Sequence, residues 1–441
     1  MPIRNADALG RTTVRQTALA CLEAGIEAAL PEQVVAERVR YADETLTVAG
    51  ETYDLAGVER VVLVGGGKGS GRVAAALAET LGDRLDTGVV VDAEPTDAGP
   101  VSVVVGDHPT PSERGVAGAQ QVLDLVKTAD ESTLVLAVVT GGASALLPAP
   151  ADGIALDDLQ TVTRRLLDAG ASVGELNAVR KHVSALKGGQ LARAAAPASV
   201  VTLAFSDVVG DPPDVIGSGP TVPDESTFEE ALAVLDRYDV DVPSVRDRLD
   251  RGVAGEVAET PKPGDSVFDG TSYHVLANAH TALDAAAEAA REHEFDPTIL
   301  SSRIEGEARE AGRFHAAVAR EVGETGNPVE APAVLLSGGE CTVTVRGDGT
   351  GGPNQEFALA AALDLQAVSE VAVGAVDTDG RDGSTDAAGA LVDGETVREE
   401  PAAREALAAN DAFGYLSGRD DLVRTGATGT NVNDLRVVVV A

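Results

Sequence analysis

Six short runs rich in valine recur along the 441-residue chain, at 61–64, 101–105, 134–139, 200–205, 334–336 and 371–376. Each is followed within a few residues by glycine, and most lead on into a helical pattern. Apolar runs without polar alternation, separated by helices, are the signature of strands buried on both faces of a parallel sheet. The fold class expected is therefore α/β, with ligands bound beyond the carboxyl ends of the strands, where the glycine-rich segments fall. Helical spacing predicts helices over 11–36, 115–127, 156–169, 178–194, 228–238, 281–292 and 307–322, and a hairpin turning at Ala49-Gly50. The polar, proline-bearing piece 259–270 is the expected boundary. Two domains follow, 1–262 and 263–441, with a cleft between them.

Charge excludes several functions. The 71 acidic side chains against 34 basic ones give a net charge of −37, which opposes binding to nucleic acid or to an anionic membrane. Aromatic residues are 3% of the chain and tryptophan is absent, so no stacking platform for single strands exists. Carboxylates this abundant repel least in concentrated salt, and the expectation is a salt-adapted cytoplasm. Two distant cysteines, Cys21 and Cys341, make no disulfide framework and fit a reducing compartment. No leader or membrane-spanning run is evident. Nothing in the sequence opposes a homodimer.

Only five lysines occur, and one, Lys68, stands at the tip of a glycine turn, VVLVGGGKGSG. The turn is not a Walker A loop, because Val62 and Gly69 occupy positions that need glycine and a hydroxyl residue. It is not a dinucleotide fingerprint either, since Ser70 stands where a third glycine belongs. What remains is a strand–glycine–helix junction whose backbone N–H groups at Gly65, Gly66 and Gly67, with the Lys68 charge, invite a phosphate or carboxylate. A second such junction, VVTGGASALLPAP, offers Gly141, Gly142 and Ser144 to a polar substrate group. A third segment, 175–194, gathers Arg180, Lys181 and Lys187 into one expected basic helix, with 180 and 187 on nearly one face. In a fourth, 205–221, Asp207, Asp211 and Asp214 follow a strand, and Asp207 and Asp211 are the candidate Mg²⁺ ligands. The C-terminal loops add Glu340, Asn354, Asp377, Asp379, Arg381 and Asn431 as candidate substrate, nucleotide or catalytic residues. His108 and His182 read as structural.

Taken in order, GGGKGSG, TGGASALLPAP, NAVRKHVSALKGGQLA, SDVVGDPPDVIGSGPT, SGGECTV, GGPNQE, DTDGRDGSTDAAGA and TGATGTNVNDL resemble the type II glycerate kinases, which end in a MOFRL domain. The resemblance implies a Rossmann-like α/β/α N-terminal domain and a smaller α/β C-terminal MOFRL domain. It also implies transfer of the ATP γ-phosphoryl group to D-glycerate, normally at the 2-hydroxyl, with Mg²⁺. The family's proposed active-site lysine falls on Lys68. Where many relatives carry an arginine, this chain has Pro353, so either another base, such as Arg381 or Arg180, supplies that charge or this branch handles its substrate differently. On this reading Lys68 neutralises the phosphoryl group, Arg180 or Lys187 takes the glycerate carboxylate, Asp207 or Asp211 the metal, and Asp377 or Asp379 orients or deprotonates the attacking hydroxyl. The alternatives are a nicotinamide-dependent hydroxypyruvate reductase and a non-catalytic small-molecule binder.

Overall fold

The computed structural model describes residues 3–441, which form two compact units. One is Val34–Leu276; the other joins the amino-terminal segment up to Gln33 to Ala277–Ala441. The expected break at 262/263 is thus displaced to 276/277, and the first helices belong with the C-terminal half instead of the N-terminal one.

The Val34–Leu276 unit opens with an antiparallel meander, β1 (Val39–Ala42), β2 (Thr45–Val48) and β3 (Glu51–Asp54). The turn at Ala49-Gly50 is where the hairpin was expected; a second, at Asp43-Glu44, adds a strand. The main sheet contains β4 (Arg60–Gly66), β5 (Thr87–Asp92), β6 (Val101–Val105), β7 (Thr133–Val139), β8 (Ser199–Phe205) and β9 (Thr271–Ala277). Its spatial order is β6-β5-β4-β7-β8-β9, and the pairs from β6 through β8 are parallel. This is the doubly wound order, in which the chain runs outward in one direction from β4 and then in the other. The reversal opens a crevice beyond the carboxyl ends of β4 and β7, where the two glycine junctions lie. Val62, Val64, Val135 and Ala137 are fully buried, which is why these strands read as unbroken apolar runs.

The other unit contains β10 (Asp296–Ser301), β11 (Gly306–Glu307), β12 (Ala333–Gly339), β13 (Cys341–Thr342), β14 (Val371–Asp377), β15 (Gly389–Asp393), β16 (Leu422–Val423) and β17 (Asp434–Val440). Six of them form a sheet ordered β10-β12-β17-β14-β15-β16. Within that sheet β10 and β12 pair in parallel, as β11 and β13 do beside it, while β17 lies antiparallel between β12 and β14. The parallel arrangement expected throughout therefore holds in the first unit and not in this one, because the last strand returns to the centre of the sheet. Helices Thr13–Ala28 and Ala279–Glu292 pack on one face, and Ala308–Thr325 and Pro353–Asp364 on the other.

Helix Thr13–Ala28 is anchored in this unit by a buried arginine. Arg15 is fully inaccessible; its guanidinium lies 2.8 Å from Asp393 and 2.7 Å from Asp421, and donates to the carbonyls of Leu9 and Leu391. Gly25 lets the same helix approach closely, since a Cβ there would lie 2.4 Å from Leu435 and 2.9 Å from the Ala282 carbonyl. Removing one partner of a buried pair leaves the other charge uncompensated. Arg15→Ala should therefore cost about 3–5 kcal/mol, measured by chemical denaturation; a loss under about 1 kcal/mol, the scale of exposed pairs, would show that the anchor is not structural.

Candidate functional site

The first glycine junction is already filled. Gly67 N–H donates to the Val91 carbonyl and Lys68 N–H to the Gly141 carbonyl. Gly69 and Gly71, at the start of helix Ser70–Leu81, donate to the Asp92 carboxylate at 3.1 and 2.8 Å, and Ala93 and Glu94 donate to it as well. The anion expected at this helix end is thus the protein's own. Asp92 closes β5, the place where dinucleotide enzymes keep the acid that binds ribose, but it is buried and its oxygens face the neighbouring helix. Burial outweighs those four N–H donors and holds its carboxyl above the usual carboxylate range. Sequence reading missed Asp92. Gly65 is obligatory here: its φ is +135° and a Cβ would lie 1.9 Å from the Val138 carbonyl.

Around the second junction the structure brings Lys68, Gly141, Gly142 and Asp207 together. A Cβ on Gly141 would lie 2.1 Å from an Asp207 carboxylate oxygen. On Gly142 it would lie 2.9 Å from the His108 ring and 3.6 Å from the Lys68 Cγ. The Thr140 hydroxyl donates to the Lys68 carbonyl at 2.9 Å and ties the two loops. His108, read as structural from sequence, lies in this cluster. His182 is structural: it is buried between the Ala178 carbonyl and the Glu259 carboxylate.

The basic segment is not one helix. Helix Val173–His182 ends there, and the next, Gln190–Ala195, starts after Gly188 and Gly189, both left-handed. Between them, Ser184 Oγ accepts the N–H groups of Leu186 and Lys187, and the chain pairs with 149–151. This local bonding competes successfully with helix, so Arg180 and Lys187 do not share a helical face as expected. They are neighbours nonetheless. Lys187 is 2% exposed, its Nζ donates to the Leu147 carbonyl at 3.2 Å, and burial together with the Arg180 charge lowers its pKa to about 7. Arg180 is lowered to about 10 by burial. Among the described residues no carboxylate pairs with either. Lys181, by contrast, is spent on Asp224 at 3.1 Å and Asp214 at 3.6 Å.

Beside these cations runs a chain of hydroxyls. Ser144 Oγ lies 2.8 Å from Ser218 Oγ, which donates to Asn177 Oδ1 at 3.0 Å. Asn177 and Ser218 lie within the segments NAVRKHVSALKGGQLA and SDVVGDPPDVIGSGPT, but nothing in the sequence gives either a role; only the fold joins them to Ser144.

In the other unit, Asp377 and Asp434 are cross-strand partners at the ends of β14 and β17. Asp434 accepts from Arg436 at 2.5 Å and from Asn354 Nδ2 at 2.6 Å. Asp382 accepts the N–H groups of Asn354 and Gln355 at 2.9 and 2.8 Å and so caps helix Pro353–Asp364. Pro353, at the helix start, gives up no bond there. Burial raises Asp377 well above its ordinary value, with Asp379, Asp434 and Asp382 adding to the rise, and raises Asp382 to about 7. A carboxyl so raised is suited to accept a proton from a hydroxyl. Asp379 accepts from the Arg381 N–H at 2.8 Å, and Asn431 from the Asn433 N–H at 3.0 Å. Glu340 and Arg381 are exposed. Asp386, further along the same loop, pairs with Arg424.

Among the described residues no group of three or more His, Cys, Asp or Glu is placed to hold a metal ion, and no helix is long and apolar enough to cross a membrane. Asp207 and Asp211 offer the oxygen ligands that Mg²⁺ prefers, and Mg²⁺ characteristically takes one or two carboxylates and completes its shell with phosphate and water. Asp211 lies close enough to raise the buried Tyr273 hydroxyl, after burial itself.

A doubly wound sheet whose switch-point loops carry a lysine, a carboxylate and unpaired cations defines an α/β enzyme acting on small anions, and the comparisons narrow the class. Residues 17–250 match the model "Domain of unknown function (DUF4147)" and 333–434 that of the MOFRL family. The chain is 39% identical to the D-glycerate 2-kinase of Thermotoga maritima, over 96% of this chain and 97% of that one. It is 38% identical to the glycerate 2-kinase of Pyrococcus horikoshii, over 97% of both. A putative hydroxypyruvate reductase of Agrobacterium vitis is 42% identical over 86% of this chain and 87% of its own. The crystal structure of the T. maritima glycerate kinase superposes with a TM-score of 0.84 at 37% identity, covering 97% of this chain and 99% of that one. The chain belongs to the glycerate kinase family that carries a MOFRL domain, a family of kinase enzymes.

The Lys187 assignment is open to test through pH. Its lowered pKa means that between about 7 and the ordinary lysine value of 10.5 the unfolded chain holds a proton that the native state has released. The contribution of Lys187 to stability therefore falls as pH drops through that window, and the full penalty stands below about 7. Lys187→Met should melt higher than the wild type at neutral pH, with the gap closing as pH rises toward 10, and should no longer bind D-glycerate by calorimetry. A variant less stable at every pH would show that the ammonium is held by the protein alone.

Proposed function

We propose that this enzyme phosphorylates D-glycerate with ATP, at the 2-hydroxyl, with Mg²⁺. The observation that carries the reading is the unpaired cation couple, Arg180 and Lys187, in a chain of net charge −37. A buried lysine and a half-buried arginine left without carboxylates, amid such an excess of them, are kept for an anion that comes and goes, and a glycerate carboxylate is an anion of the right kind. The relatives named glycerate 2-kinase support the acceptor and the position of transfer.

Phosphoryl transfer asks the protein for alignment and for charge neutralisation on the moving group. Arg180 and Lys187 bind and orient the glycerate. Lys68, on the loop tied to Gly141, neutralises charge on the transferred phosphoryl group. Asp207, with Asp211, would hold Mg²⁺, which when bound offsets phosphate charge. Asp377, with Asp379 beside it, takes the proton of the attacking hydroxyl. Gly65, Gly66, Gly67, Gly141 and Gly142 let these loops approach closely. Asn354, Glu340, Arg381 and Asn431 are assigned to the nucleotide and substrate surroundings. The setting that fits the charge is a cytoplasm rich in salt.

Against the reductase reading stands Asp92. It occupies the helix end on which a dinucleotide pyrophosphate rests, so the nicotinamide cofactor lacks its usual seat. Incubation with D-glycerate and ATP-Mg²⁺ should give 2-phosphoglycerate by phosphorus NMR, and Lys68→Ala should lower turnover by about a hundredfold or more. A reduced nicotinamide signal without ADP would overturn the proposal, as would near-normal turnover in a folded Lys68→Ala protein for the role of that lysine.

A further inference from the structure

The hydroxyl chain beside the two cations has a fixed direction. Asn177 Oδ1 is a carbonyl oxygen and can only accept, so the single hydrogen of Ser218 is committed to it at 3.0 Å. The 2.8 Å contact between Ser218 Oγ and Ser144 Oγ then requires Ser144 to donate. With its hydrogen spent, Ser144 presents only lone pairs.

Burial reinforces that direction. Ser218 is fully inaccessible and Asn177 is 4% exposed, whereas Ser144, at the outer end, is half-buried. Ser218 also has a left-handed backbone, φ +64°, between Gly217 at +58° and Gly219 at +60°. Its neighbours are the residue type that such a conformation favours, while position 218 keeps a side chain in spite of it. The strain is explained by the hydroxyl that must reach both Asn177 and Ser144. The same segment abuts the cations. Gly188 N–H donates to the Ser218 carbonyl at 3.0 Å, Lys187 Nζ bonds the Leu147 carbonyl three residues beyond Ser144, and Arg180 follows Asn177 on one helix.

Resting on the D-glycerate reading above, we infer that Ser144 selects the substrate by accepting a hydrogen bond from the hydroxyl that is not phosphorylated. Ser218 and Asn177 are positioning residues that fix Ser144 as an acceptor. An anion held through its carboxylate on Arg180 and Lys187 extends its carbon chain past Ser144, which welcomes a donor and opposes a second anionic oxygen.

The test compares D-glycerate with D-lactate, which lacks the terminal hydroxyl. The wild type should prefer glycerate in kcat/KM, mostly through KM. Ser144→Ala should reduce that preference by about tenfold, the scale of one neutral hydrogen bond, and Ser144→Thr, which keeps the hydroxyl, should restore it. Ser218→Gly, suited to the left-handed backbone, should reduce the preference in the same direction by freeing Ser144 to donate. An unchanged glycerate-to-lactate ratio in Ser144→Ala, or an equal fall for both substrates, overturns the inference and leaves the kinase reading standing. Absence of any glycerate phosphorylation by the wild type overturns both.

Discussion

A buried ammonium with no carboxylate beside it is costly, and this chain has many carboxylates from which a partner could have been drawn. Lys181 shows that the fold supplies one when it needs one: Asp224 lies within 3.1 Å of it, six residues before Lys187 in the chain. The lysine that is paired helps to hold the structure, and the lysine that is not is the one the proposed function gives to the substrate. That contrast within one short segment gives the charge distribution its meaning. It also explains the break in the helix, because a continuous helix would not have let Ser184 turn the chain so that Lys187 points at the Leu147 carbonyl.

The first glycine junction makes the opposite choice. Its helix end looks from sequence like a seat for phosphate, and the fold seats Asp92 there. The doubly wound sheet thereby keeps the close strand–helix packing that its glycines permit, while the proposed function gives the binding of small anions to the loops after β7 and to the segment around Arg180. A familiar architecture thus hosts a chemistry different from the one most often associated with it.

Much of this was legible in the sequence. The strands of the first sheet could be read because parallel strands buried on both faces leave an unbroken apolar record, and the loops at their ends could be read because glycine and a scarce lysine stand out. The helix over 178–194 was misread because its periodicity continues through Ser184, and nothing local announces that a serine hydroxyl will capture two backbone N–H groups. Asp92, His108, Asn177 and Ser218 escaped for a different reason: each acquires its role from a partner on another element, 21 to 74 residues away for Asp92 and Ser218. The central place of β17 was equally hidden, since a valine run says that a strand is buried and not which neighbours it takes.

The membership of helix Thr13–Ala28 in the unit that closes with β17 bears on how the polypeptide matures. The helix precedes the Val34–Leu276 stretch in the chain, yet the strands it packs against, β14 and β17, follow that stretch. The Val34–Leu276 stretch can complete its own sheet during synthesis, whereas the amphipathic leading segment must wait, its buried arginine still unmatched, until Asp393 and Asp421 have been translated. Assembly of the second unit therefore waits on its own distant strands, with the whole Val34–Leu276 stretch made between the helix and its partners.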